Sequence, residues 1–123
     1  METIQLSKPH PLFKDYVADM YGEIYSLKFG KTKQITKSQH PKGYHQFWAS
    51  ISGYKKMYLW HRFVWECWNG MIPIKLQINH IDTDKKNNNL DNLEVVTGKE
   101  NMEKGIQAGV QYGAASPNYH RIY

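Results

Sequence analysis

The segment that most restricts how this chain can fold runs from Leu76 to Gln107. Leu76 to Ile81 and Leu93 to Thr97 both carry the alternation of a short strand. Between them lies TDKKNNNLDN, a polar loop whose Asn and Asp side chains bond their own backbone. Thr97-Gly98-Lys99-Glu100 has the spacing of a capping box, which predicts a helix from about Gly98 to Gln107. The order is strand, loop, strand, helix.

Upstream the chain reads as one β-rich run and one helix. Residues 1–12, with Pro9 and Pro11, read as an irregular lead-in. YVADMYGEIYSL reads as two short strands around a turn near Met20-Tyr21-Gly22. Tyr44 to Ile51 and Lys55 to Leu59 are the expected strands of the next region, which is broken at Gly30, Pro41-Lys42-Gly43 and Ser52-Gly53. From Leu59 to Trp68 the spacing of Trp60, Val64 and Cys67/Trp68 is helical, and Asn69-Gly70 stops it. The expected fold class is α+β: an N-terminal antiparallel β region and a helix leading into the strand–loop–strand–helix unit. No repeat, low-complexity tract or long linker interrupts it, so the 123 residues are expected to form a single domain. Within it, 12–58 is the basic β-rich part, 59–107 the helix and the final unit, and 108–123 a tail.

Charge is unevenly placed. The formal net charge is +5, yet no Asp or Glu lies between Glu23 and Glu66. That window holds Lys28, Lys31, Lys33, Lys37, Lys42, Lys55, Lys56 and Arg62, interleaved with Tyr25, Phe29, Tyr44, Phe47, Trp48, Tyr54 and Tyr58. Basic charge with aromatics suits a phosphate backbone, and these eight cations are the expected DNA contacts. A solvated lysine face has the same composition. The one cysteine, Cys67, can form neither an intramolecular disulfide nor a paired-cysteine zinc knuckle, so no structural zinc is expected and a reduced, cytoplasmic setting fits. No apolar stretch is long enough to span a membrane.

If the two final strands pair and the helix packs across them, His80 and the first helical turn face one small cleft, with Asn79 beside His80. Asn92 follows His80 by twelve residues and Asn101 follows Asn92 by nine. His61-Arg62-Phe63-Val64, followed by INHIDTDKKNNNLDNLEVVTGKEN from Ile78 to Asn101, resembles the HNH (ββα-metal) endonucleases, particularly those of phages and group I introns. The resemblance extends over roughly residues 12 to 105.

That resemblance implies a metal-dependent endonuclease acting on double-stranded DNA by nicking or double-strand cleavage. Phosphodiester hydrolysis develops negative charge on the phosphoryl and leaving oxygens, which a metal ion neutralises. A neutral imidazole, with an ordinary pKa of about 6.5, takes a proton from the attacking water, and this role falls to His80. Asn79 and Asn101 supply oxygen ligands to one divalent ion, Mg²⁺ ahead of Mn²⁺, because few hard oxygen contacts completed by a substrate phosphate are typical of Mg²⁺. Asn92 braces the loop and orients the His80 ring by hydrogen bonding. Many relatives carry Asp where this chain has Asn79, which lowers the attraction for a cation. Asp82 is the nearest substitute ligand but is expected to cap the loop instead. Asn87-Asn88-Asn89 shape the loop, His61 and the tryptophans pack, and Cys67 is a small buried apolar residue. With only IQAGVQYGAASPNYHRIY after the helix, modest site specificity is expected, aided by a homodimer or a partner protein. The alternative from the same residues is a catalytically inactive DNA-binding protein that keeps the fold. An RNA-binding module would use the same basic and aromatic residues but leaves the HNH unit without a purpose.

Overall fold

Turn-forming residues interrupt the chain before Tyr44 so often that only strands of two or three residues form there. The computed structural model describes residues 6–73 and 75–99. A four-stranded antiparallel sheet takes the order β1 (Lys8–Pro9), β2 (Tyr16–Ala18), β3 (Ile24–Ser26), β4 (Lys33–Gln34). Lys8–Pro9 therefore departs from the irregular lead-in expected for residues 1–12. Proline is tolerated there because an edge strand has one side without ladder bonds. The β2–β3 turn falls where the sequence places it, and the buried Asp19 builds it. Its Oδ1 accepts from the backbone N–H groups of Tyr21 and Glu23 at 3.0 and 2.9 Å, and its Oδ2 accepts from the Tyr25 hydroxyl at 3.2 Å.

A second sheet joins β5 (Ser38–Gln39), β6 (His45–Ile51) and β7 (Tyr54–Leu59) in that order. Ser52 and Gly53 turn the β6–β7 hairpin with φ of 47° and 81°, the paired positive angles whose twist matches the flanking strands. Phe47 and Ala49 of β6 are buried while Trp48 between them is exposed, so one face of this sheet meets the core. Helix α1 (Trp60–Asn69) follows β7 without a loop and ends at Gly70. Trp60, Phe63, Val64 and Cys67 form its buried stripe. Its indoles also fasten it to the first sheet: Trp60 Nε1 donates to the Gly22 carbonyl and Trp68 Nε1 to that of Ala18, at 2.5 and 2.9 Å. The last described strands, β8 (Leu76–His80) and β9 (Leu93–Thr97), pair antiparallel with Asn79 opposite Glu94 and His80 opposite Leu93. The chain turns helical at Gly98 and Lys99; the rest of the expected helix, and Asn101 with it, lies outside the described residues. Ile24, Phe47, Trp60, Phe63, Ile78 and Leu93 share one core cluster, so all three sheets and α1 pack together.

Inside that core sits a carboxylate. Glu66 of α1 is fully buried, as is His10. The Nδ1 atom of His10 accepts the backbone N–H groups of Leu12 and Phe13 at 3.1 and 3.2 Å, so the ring proton is on Nε2, which donates to Glu66 Oε1 at 2.9 Å. The Tyr58 hydroxyl donates to the same oxygen, while Oε2 accepts from the Ile72 N–H at 3.4 Å and lies 3.5 Å from Arg62 Nε. Burial pushes the Glu66 pKa up, but the hydrogen bonds from His10 and Tyr58, with the Arg62 charge, outweigh it and hold the carboxyl below its ordinary 4.5. Burial and the Glu66 carboxylate in turn push the Tyr58 phenol up. Removing one partner of such a cluster strands the others, so Glu66→Leu is expected to lower unfolding free energy by about 3 to 5 kcal/mol in urea titrations. Because the folded pKa is depressed, the Glu66 contribution is complete above pH 4.5 and disappears as pH falls through the lower folded value; acid titration of wild type against Glu66→Gln measures this.

Candidate active site

The polar loop after β8 is held by its own side chains. Asp82 Oδ1 accepts from the Asp84 N–H at 2.8 Å and from Asn92 Nδ2 at 2.9 Å, and Oδ2 accepts from Asn87 Nδ2 at 2.7 Å. The bond from Asn87, then those from Asp84 and Asn92, hold the Asp82 carboxyl below its ordinary range. Asn92 closes the loop from the other end: its Oδ1 accepts the Asp82 N–H at 3.0 Å and its Nδ2 also reaches the Asn87 carbonyl at 2.8 Å. The loop is clamped to both upstream sheets. Lys85 Nζ donates to the Lys42 carbonyl at 2.9 Å and lies over the Tyr44 ring, while the Leu90 N–H donates to the Met20 carbonyl at 2.9 Å.

His80 ends β8 beneath this loop, 4% exposed. Its Nε2 is 2.8 Å from Asn88 Oδ1. Since Oδ1 can only accept, that nitrogen carries the ring proton and Nδ1 is the basic atom. The ring packs 4.7 Å from that of His61, which stacks on Tyr44 at 5.1 Å and 15°. Burial lowers the His80 pKa, against the raising effects of Asn88, Asp82 and Asp84. Burial, then the neighbouring His80 and Arg62, put His61 well below 6.5. Both imidazoles are therefore neutral at pH 7, and His80 can accept a proton.

The sequence assigns Asn92 both to bracing the loop and to orienting His80. It braces the loop, but its side-chain bonds go to Asp82 and Asn87 and not to the His80 ring; Asn88, read in the sequence as loop-shaping alone, makes that contact. Three adjacent asparagines look alike in sequence, and only the fold shows which one turns inward. Asp82 caps the loop as expected. Asn79 points its amide nitrogen across the ladder at Glu94 Oε2, 2.7 Å away. Successive residues of a strand face opposite sides, so the Asn79 and His80 side chains leave β8 in opposite directions, one to Glu94 and the other to Asn88. His61 packs as expected, but against His80, which proximity in sequence could not reveal. His10 gave no sequence signal beyond being a histidine between two prolines.

The expected DNA contacts divide in two. Lys28 donates to the Ser50 carbonyl and hydroxyl at 2.8 and 2.6 Å, Lys37 pairs with Glu23 at 3.1 Å, and Arg62 turns to Glu66. These three have partners within the chain, although the Lys37 and Glu23 side chains are still 32% and 31% exposed. Lys31, Lys33, Lys42, Lys55 and Lys56 are exposed, as are the aromatic rings of Phe29, Trp48 and Tyr54. Phe47 and Tyr58 of the same window belong to the core. No helix among the described residues is long and apolar enough to cross a membrane.

Residues 58–103 match the HNH endonuclease family. The chain is 43% identical over 93 residues to a SPbeta prophage-derived putative HNH homing endonuclease of Bacillus subtilis, covering 75% of this chain and 53% of that protein. It is 37% identical over 95 residues to the DNA endonuclease I-HmuI of Bacillus phage SP01, covering 76% and 53%. An uncharacterized gene 5.3 protein of Enterobacteria phage T3 is 27% identical over 90 residues, covering 68% of this chain and 89% of that one. The chain thus spans about half the length of the first two relatives. Among solved structures, the HNH homing endonuclease I-HmuI, solved in a study of its DNA binding and cleavage, superposes with a TM-score of 0.75 at 29% identity, over 88% of this chain and 62% of that one.

Asn92→Ala removes three hydrogen bonds at once. It is expected to lower stability by about 2 to 3 kcal/mol and to speed amide exchange at Asp82 and Asp84 before that of β6 and β7, as read by hydrogen-exchange NMR.

Proposed function

Because this chain belongs to the HNH endonuclease family, we propose that it is a metal-dependent endonuclease hydrolysing phosphodiester bonds in double-stranded DNA. The observation that carries this is His80: a neutral imidazole at the end of β8, with its proton on Nε2 and Nδ1 as the basic atom. In this reading Nδ1 takes the proton of a water as its oxygen attacks phosphorus, and the Nε2–H bond to Asn88 holds the ring still while it becomes cationic. Asn92 acts at one remove, by fixing the loop that carries Asn88.

The residues present fit a hard divalent ion. Asn79 uses its amide nitrogen on Glu94, which leaves the oxygen as its ligating atom and sets a carboxylate beside it. That neighbouring charge offsets the absence of an Asp at position 79. Asn79 and Asn101 would hold the ion, Mg²⁺ ahead of Mn²⁺ given an all-oxygen set. Bound there, it would neutralise charge on the phosphoryl and leaving oxygens.

Lys31, Lys33, Lys42, Lys55 and Lys56 would meet phosphates, with Phe29, Trp48 and Tyr54 exposed among them. Backbone contacts of this kind give affinity with little sequence readout, so specificity is modest and a second copy or a partner protein would sharpen it. The phage and prophage relatives support a mobile-element origin and action in the bacterial cytoplasm. An inactive DNA-binding protein is the second reading, favoured by the uncharged Asn79.

On supercoiled plasmid, Mg²⁺ or Mn²⁺ is expected to yield nicked or linear product that a chelator prevents. His80→Ala should lower the rate about 10²- to 10⁴-fold while gel shifts show unchanged binding. Binding without product at any divalent ion would instead select the second reading. Lys31, Lys33 and Lys55 changed together to Ala should flatten the slope of log affinity against log salt by up to about 3.

A further inference from the structure

Asn88 differs from every other asparagine of its loop. Asn87, Asn89 and Asn92 spend their side chains on one another, on Asp82 or on the loop backbone. Asn88 is 5% exposed, bonds His80 through Oδ1, and leaves its Nδ2 buried with no hydrogen-bond partner among the described residues. An orphaned buried donor costs free energy and is rare in folded proteins.

The position of Asn88 is set from outside the loop. A β-carbon on Gly22 would lie 2.4 Å from the Asn88 carbonyl oxygen and 2.6 Å from its carbon, so both contacts are with backbone that cannot swing aside. Gly22 also sits at φ +87°, where a side chain is strained. Its carbonyl accepts the Trp60 indole, and two residues earlier the Met20 carbonyl accepts the Leu90 N–H. The β2–β3 turn is therefore a fixed seat on which Asn88 rests.

We propose that Asn88 is a positioning residue that fixes His80 in the tautomer protonated at Nε2, and that Gly22, about sixty residues earlier in the chain, is the contact that puts Asn88 within reach. This rests on the reading of His80 as the base, but its first test does not. Selective ¹⁵N-histidine labelling of the metal-free full chain, with the His80 signals assigned by their absence from His80→Ala, reports the tautomer directly. Wild type and Asn88→Asp, which keeps an accepting oxygen, should show His80 protonated at Nε2. Asn88→Leu should show a mixture of tautomers; Asn88→Ala is measured beside it in case the leucine prevents folding, and Gly22→Ala should move His80 in the same direction. On supercoiled plasmid under single turnover, Asn88→Leu or Asn88→Ala should be about 10- to 100-fold slower with binding unchanged, and Asn88→Asp should recover most of the rate. An Nε2-protonated His80 in both acceptor-free variants, or wild-type cleavage by them, would overturn the proposal. If no variant, wild type included, cleaves DNA, the nuclease reading fails while the tautomer measurement still decides the role of Asn88.

Discussion

A buried carboxylate organises this molecule. Glu66 collects a histidine from the segment after β1, a phenol from β7, a guanidinium one turn earlier on its own helix and a backbone N–H from the segment leading to β8. Most of those groups come from outside the helix, and the apolar contacts that also join these parts of the chain are poorly directional. His10 and Tyr58 are buried and depend on this acceptor, so the cluster favours one arrangement of helix against sheets. Once α1 is fixed in this way, Trp60 and Trp68 fall onto the carbonyls of Gly22 and Ala18, and His61 is delivered to the ring of His80.

Much of this was legible in the sequence wherever a local rule decides. The β6–β7 hairpin follows from Ser52-Gly53, α1 from the three-and-four spacing that begins at Trp60, and β8 and β9 from their alternation around an Asn-rich loop. Asp82 capped that loop as its neighbours predict. What sequence could not reveal were the long-range pairings. Nothing local to Lys28, Lys37 or Arg62 tells a phosphate-seeking cation from one already held by Ser50, Glu23 or Glu66. The same limit explains Asn88 and Asn92: both asparagines belong in that loop, and which one meets His80 depends on a turn in another sheet.

The two sides of β8 also divide the chemistry. His80 faces inward, where burial keeps it neutral and its neighbours keep it oriented; Asn79 faces the other way, beside the carboxylate of Glu94. A strand offers this separation without extra structure, since its side chains alternate at every residue. On the proposed function, proton transfer and cation attraction call for opposite surroundings, one low in charge and one rich in it, and these adjacent residues would supply both.

The stretch that matches the HNH endonuclease family begins at residue 58, yet the loop inside it leans on Met20 and Gly22 and is pinned to Lys42. The segment that the family model matches is thus smaller than the segment that is mechanically complete. Recombination that carried the motif alone onto another scaffold would bring the imidazole without its footing, so in this lineage the first sheet and the motif are expected to be inherited as one block.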